Sequence, residues 1–388
     1  MHRYAELGCR EYQTGAFIEA EAEKLGLEVE RVGQTGRLVI LDTGRPGNGV
    51  ALRADMDALP LKENPCNCKR NRVVVSDDPD TCHACGHDAH VAMLLGAMQI
   101  LAQRREEWRG RVYFCFESDE ESGTGWQDMV EALEKRQVHT VFALHVLSSL
   151  ESGLISVDDG PRIRGMVRVD ATFVGRGGHG SRPDLSINPV FAAAAALNNL
   201  AIAAANQVDA NETVTLGITS IRGGEAYNVI PDRAQVLGTM RYFNLREGEK
   251  ALQMLKSVFD HTAQMHRCMV EYSPLTCNYI IPTINDPEAA SMAREALCRE
   301  LGEEYVVSAD KWYASESFSE YLRRYKGAMG FLGVRNEELG TTAEHHNEYF
   351  DVDESVLYQG VMSYAGYAIE ALCSEKVAQW KPKSEKSL

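Results

Sequence analysis

The chain has no surplus of positive charge. Its 40 lysines and arginines face 56 aspartates and glutamates, for a formal net charge of −16. A protein that grips a phosphate backbone usually carries a basic face, so no nucleic-acid partner is expected. No long uncharged apolar span and no charged-then-apolar amino-terminal signal is expected from the sequence. No membrane partner is therefore expected, and the expected location is cytoplasmic. Internal repeats and low-complexity tracts are also missing.

What is present fits a large globular protein. The 388 residues are 44% apolar and 25% charged, enough for two or three domains with sizeable cores. Ten cysteines in a long chain without a signal read as thiols rather than disulfides. Cys9, Cys115, Cys268, Cys277, Cys298 and Cys373 are scattered among apolar residues and read as packing thiols. Cys66, Cys68, Cys82 and Cys85 cluster.

Periodicity gives the organisation. Residues 15–26 read as a helix, followed by β-rich runs near 28–33, 37–42 and 49–54. A helical apolar spacing runs from Val91 to Trp108, and compact apolar strands cover 112–116 and 140–146. Strands alternating with helices predict a mostly parallel sheet. The middle differs: strand 167–174, helix 188–207, strands 213–221 and 234–242, helix 245–266 and strand 268–272. That order, βαββαβ, is the ferredoxin-like arrangement. Alternation then resumes with a helix at 286–301, a strand at 328–332 and a helix over 353–373. The predicted fold is α/β, with a discontinuous catalytic domain (1–164 and 277–388) interrupted by an inserted α+β satellite domain (165–276). The polar tail from Lys381 to Leu388 reads as a frayed end.

The chemistry concentrates in Cys82-His83-Ala84-Cys85-Gly86-His87-Asp88-Ala89-His90, just before a helical run, with Glu120-Glu121, His145 and His345-His346 farther on. Thiolate, imidazole and carboxylate are divalent-metal ligands, and a mixed set spread over several segments suggests an open, catalytic site. Asp55 and Asp57 follow one predicted strand, the Glu pair follows a second, and His145 ends a third. Parallel sheets gather ligands at such strand ends. Taken singly, each has a plainer reading: a helix cap, a solvated acidic loop, a satisfied histidine. His139, His261 and His266 keep that plain reading. A rival arrangement pairs Cys66-x-Cys68 with Cys82-x-x-Cys85 as a structural zinc knot on a binding protein. The acidic run Asp77-Asp78-Pro79-Asp80 counts against it, and it leaves His87, Glu121 and His145 unexplained.

These segments resemble a known family. Leu52-Arg53-Ala54-Asp55-Met56-Asp57 and His83-Ala84-Cys85-Gly86-His87-Asp88 are similar to motifs of the amidohydrolase branch of the aminoacylase/carboxypeptidase metallopeptidase superfamily. Gly177 to Pro183, Gly223 to Pro231, Gly238 to Arg241, Ser315 to Ser319 and His346 to Phe350 extend the resemblance in order. It implies a dinuclear site with two divalent metal ions per subunit, zinc or manganese, with cobalt or nickel as further candidates. Carried over by motif, the ligands are Cys85 (shared between the ions), His87, Glu121, His145 and His346, with His345 as the rival to His346. Glu120 is implied as general base and Asp57 as the group that orients a ligand imidazole, a task Asp55 shares. His90 is read as packing or capping. His179 is implied to stabilise the oxyanion, often that of a partner subunit, and Asn228 and Arg241 to hold a substrate carboxylate. Glu120 and Glu121 would point to opposite faces of a regular strand, so the strand end is expected to be irregular.

The implied activity is hydrolysis of an amide in an N-acyl-amino acid or related small molecule with a free carboxylate, by a homodimer joined through the satellite domain. A dipeptidase or carboxypeptidase with the same site, and a non-catalytic metal- or ligand-binding protein, are the alternatives. Two departures from the usual pattern bear on the site. Glu117-Ser118-Asp119 stands where relatives commonly have Gln-Pro-Ala, and Ser317 stands in the usual Gly-Ser-Glu-Asp-Phe stretch at its Asp position. The extra acids are expected to add negative charge near the metals. The loop Lys62–Thr81 is expected to shape the pocket.

Overall fold

In the computed structural model, residues 1–383 are described. The chain divides into two compact units. Unit one comprises Met1–Arg162, Ile284–Lys311 and the stretch from Ser317 onward; unit two comprises Ile163–Thr283 and Trp312–Glu316.

Unit one is built on an eight-stranded sheet. Its first half contains α1 (Tyr12–Lys24), β1 (Glu28–Val32), β2 (Gly36–Asp42), β3 (Gly49–Asp55), α2 (His87–Gln103), β4 (Arg111–Glu117), α3 (Trp126–Glu134) and β5 (Thr140–Glu151). Spatially the strands run β1, β2, β4, β3, β5, then Lys326–Arg335, Ile155–Ser156 and Val306–Val307. The centre from β4 to Lys326–Arg335 is parallel. β1 and β2 join antiparallel on one side and Ile155–Ser156 on the other, so the sheet is mixed. Every residue of β3 is buried, as is β4 after Arg111. This is the burial expected of central parallel strands covered on both faces. Helix α2 and the helix Leu357–Cys373 pack against each other and against β3 and β5.

Register aligns the chemistry. Asp55 ends β3 opposite Glu117 at the end of β4, and Arg53 lies opposite Ala143 of β5. His145, two residues on, therefore stands level with those two strand ends. Sequence reading ended the strand there, but β5 continues to Glu151. Helix α2 begins at His87 rather than Val91 and stops at Gln103. Helix α3 had no clear signature. Lys383, in the expected frayed tail, is held by the carbonyls of Arg324 and Leu322, each 2.7 Å away. Residues 384–388 of that tail lie outside the described residues.

Unit two contains an antiparallel sheet in the order Val214–Arg222, Arg233–Tyr242, Gly165–Val174, Met269–Tyr272, with Asn278–Ile280 also on Gly165–Val174. Helices Pro189–Gln207 and Leu245–Met265 pack on it and on each other. The chain order is βαββαβ. Its core is separate from that of unit one and is centred on Val169, Phe173, Leu200, Val236 and Phe259. The helix Pro189–Gln207 corrects one sequence reading: it is uncharged, and by length and composition alone it is apolar enough to cross a bilayer. Ala192, Ala193, Ala196 and Leu200 make its buried face, which is the ordinary way for a core helix to pass that test.

Candidate metal centre

Local chain geometry delivers the donors. Gly86 precedes α2 with φ of +86°, and a Cβ there would stand 2.4 Å from Val146 Cγ2. Only glycine fits both constraints. The turn it makes places Cys85 and His87, both buried, on either side of the bend. Past β4 the chain bends at Asp119, a non-glycine residue with φ of +55°. Two hydroxyls, of Ser122 and Thr124, bond the Asp119 carboxylate, and its N–H donates to Glu11 at 2.9 Å. These bonds hold a backbone form that would otherwise be costly. This is the irregular strand end that the Glu pair requires. His346, at φ of +59°, is pinned by its N–H on the Ala84 carbonyl at 2.9 Å.

The donors converge in unit one. Among the described residues, two groups of three or more candidate ligands have their atoms within 4.8 Å of one another: Cys85, His87 and Glu121, and Asp55, His87, His90 and His145. Cys85 Sγ is 3.6 Å from His145 Nε2. His87 Nε2 is 3.9 Å from Glu121 Oε1, and His346 Nε2 reaches the same oxygen at 3.3 Å. The His145 Nδ1–H donates to the Val146 carbonyl at 2.7 Å, which turns Nε2 toward Cys85.

Hydrogen bonds distinguish the side chains around the two groups. His90 is geometrically within the second group, but both its nitrogens are committed. Its Nε2 accepts from the Val146 N–H at 2.9 Å, so its Nδ1–H donates to Asp55. His345 Nε2 accepts from the Ser148 N–H at 3.3 Å, and burial drives its pKa down to about 3. Asp57 accepts from His87 Nδ1 at 3.1 Å and from the Glu121 backbone N–H at 3.0 Å. One carboxylate thus orients two donors. The Ser317 N–H donates to Glu120 Oε1 at 3.0 Å.

The electrostatics suit a cation. Burial and then the Glu121 charge push the Cys85 thiol well above its ordinary value. Burial, followed by the His90 imidazole, holds His145 well below the usual histidine range. For Asp55, burial opposes ionisation but Arg53, His87 and His90 outweigh it and hold the group well down. Two buried atoms, His87 Nε2 and Glu121 Oε1, lack a hydrogen-bond partner. Buried polar atoms are normally satisfied, so an orphaned imidazole nitrogen facing a carboxylate and a thiol fits a divalent ion. A bound cation would also reverse the thiol shift.

Sequence reasoning missed a supporting network. Arg53, buried inside β3, pairs with Asp55 at 2.7 Å and Glu117 at 2.8 Å and donates to Ser317 Oγ at 2.9 Å. Glu117 also takes the hydroxyls of Ser317 and Tyr321. An arginine within an apolar strand was the available signal; Tyr321 offered none. The network shows where the extra acids go: Glu117 shares Arg53 with Asp55, and the Asp119 carboxylate is held by hydroxyls of its own turn. The zinc knot is not formed: Cys66 Sγ meets Asn71 Oδ1 at 3.0 Å, and neither Cys66 nor Cys68 joins a ligand group.

Three expected site residues lie in unit two. His179 and Asn228 come side by side, since Gly178–His179 pairs with Val229–Ile230 and the Gly180 N–H donates to the Asn228 carbonyl at 2.8 Å. His179 Nδ1 meets the Ser181 hydroxyl at 2.8 Å. Arg241 is half-buried and donates to Ser315 Oγ.

The profile of peptidase family M20/M25/M40 matches residues 51–370. The chain belongs to this family. It is 32% identical to IAA-amino acid hydrolase ILR1-like 4 of Arabidopsis thaliana over 389 aligned residues, covering 100% of this chain and 87% of that one. It is 30% identical to N-acetylcysteine deacetylase of Bacillus subtilis, covering 96% and 95%. The crystal structure of Bacillus subtilis YXEP protein, described as a dinuclear metal binding peptidase of family M20, superposes with a TM-score of 0.80 at 28% identity, covering 96% and 95%. This M20 chain is a metal-dependent amidohydrolase built on a mixed α/β fold.

Proposed function

We propose that this M20 enzyme hydrolyses N-acyl-amino acids, releasing a free amino acid and a carboxylic acid. Cys85, His87, Glu121, His145 and His346 would hold two divalent cations. Zinc suits the thiolate and imidazoles, and manganese is the alternative. The bound cations supply Lewis acidity toward the amide carbonyl and make water a nucleophile near neutral pH. Glu120 accepts the proton of the attacking water and then delivers it to the leaving nitrogen. Ser317 N–H fixes one Glu120 oxygen, and Asp57 keeps the His87 ring and the Glu121 backbone in place. His179 donates to the tetrahedral oxyanion, and Asn228 and Arg241 hold the free carboxylate of the substrate. The names of the relatives, an amino acid conjugate hydrolase and a deacetylase, support an N-acyl-amino acid as substrate.

We further read the protein as a homodimer joined through unit two, where the helix Pro189–Gln207 exposes Phe191 and Ile202. All ten cysteines are free, which supports a reducing, cytoplasmic setting. The observation that carries the catalytic reading is the buried His87 Nε2, without a hydrogen-bond partner and 3.9 Å from Glu121. The test is a panel of N-acetyl-amino acids offered to protein stripped with chelator and reloaded with manganese or zinc. Activity should return with metal, and Glu120→Gln should lower kcat by roughly a hundredfold or more with metal content unchanged. Full activity in Glu120→Gln would remove the assigned base.

A further inference from the structure

Charge in this protein is matched almost wherever it is buried. Arg37, Arg53, Arg72 and Arg162 each have a carboxylate within ion-pair distance. Arg164 and Arg241 break that pattern: both are half-buried, and among the described residues neither has an acidic partner. Their neighbours are neutral. Arg164 Nη1 donates to Thr215 Oγ1 at 3.3 Å and Nη2 to the Tyr313 carbonyl at 3.0 Å, while its guanidinium lies 4.1 Å over the Tyr313 ring. Arg241 donates to Ser315 Oγ.

The fold of unit two forces the two together. Thr215 is the cross-strand partner of Arg241, so the strand that receives Arg164 is the one flanking Arg241. Tyr313 and Ser315 come from one short segment, Trp312–Glu316. Each guanidinium offers five N–H donors, and most remain unused here; the buried Nε of Arg164 has no acceptor. Burial first, then the Arg241 charge, lowers the proton affinity of Arg164. Two like charges held side by side out of water oppose folding unless something negative offsets them.

We propose that Arg164 and Arg241 form a dianion subsite, one forked guanidinium per carboxylate, so that the preferred substrate releases an amino acid with a second carboxylate on its side chain. This rests on the reading that Arg241 holds the substrate's α-carboxylate. Arg164 is then the specificity residue. Its planar fork and its seat on Tyr313 fix where the second carboxylate must lie.

N-acetyl-L-glutamate and N-acetyl-L-glutamine differ by this one charge and little in shape, so their kcat/KM ratio reads the subsite. The metal-loaded wild type should favour the glutamate substrate by roughly ten- to a hundredfold, the usual worth of a charged hydrogen bond. Arg164→Gln should bring that ratio close to one, and Arg164→Lys should retain part of it. A ratio near one in the wild type, or one unchanged in Arg164→Gln, overturns the proposal while N-acetyl-L-methionine hydrolysis leaves the amidohydrolase reading standing. If no N-acetyl-amino acid is cleaved, that reading fails, and glutarate binding by the metal-free protein decides the subsite. Calorimetric binding in the wild type that is lost in Arg164→Gln, with unaltered circular dichroism, supports it. Equal binding in both, or none in the wild type, refutes it.

Discussion

Asp57 accepts hydrogen bonds from an imidazole at the start of α2 and from a backbone amide in the segment after β4. On the proposed function, it keeps two donors in register. A partner that orients a metal-bound histidine is typically worth 10- to 100-fold in metal affinity. Asp57→Asn should weaken metal binding by about that factor in a competition titration against a chromophoric chelator, with little loss of secondary structure. At this scale the sequence was legible where residue types are diagnostic. Cys85, His87, Glu121 and His145 stood out because thiol, imidazole and carboxylate near one another have few structural uses, and the fold brings their donor atoms into two clusters. The pairing of Glu117 was not legible because its partner Arg53 is 64 positions away. Its other partners, Ser317 and Tyr321, come from the far end of the chain. No local pattern encodes such pairings.

Between β5 and α2 the fit is tight at a single glycine. Replacing Gly86 by alanine adds a methyl 2.4 Å from Val146 Cγ2 in a backbone conformation of φ +86°. The left-handed conformation costs about 1–2 kcal/mol and overpacking a similar amount, so Gly86→Ala should lose roughly 2–4 kcal/mol in a urea titration. An unchanged midpoint would mean that the strand and helix ends can separate freely. Element types were readable for long periodic segments such as 188–207 and 245–266, and for the buried strands. Boundaries were not. The start of α2 is set by the Gly86 turn and not by apolar spacing, so periodicity placed it late. The mixed character of the sheet was invisible because β1 and β2 run antiparallel for reasons of connection, not composition.

For the whole molecule, the metal is also a folding ligand. The candidate donors come from four separate segments of unit one, so an ion that binds all of them favours the folded chain over the unfolded one. At a hundred times its Kd a divalent ion should add about 2.7 kcal/mol of stability, visible as a rise in Tm. The double variant Cys66→Ser/Cys68→Ser should show the same rise, since both thiols stand apart from the ligand groups. A rise lost in the double variant would revive the zinc knot. The two-unit plan could be anticipated because the order of strands and helices changes abruptly in the middle of the chain. The return of Trp312–Glu316 to unit two could not, because five residues carry no periodicity.

The strand Lys326–Arg335 lies against β5 in the interior of the sheet, yet it is made after the whole of Ile163–Thr283. On the ribosome, β5 must therefore wait with an exposed edge while more than a hundred further residues are translated. On the proposed function, the cation site stays incomplete until His346 has left the exit tunnel. Nonsense truncation before Lys326 yields a polypeptide with bare thiols and an unfinished sheet, suited to chaperones and proteases rather than to catalysis.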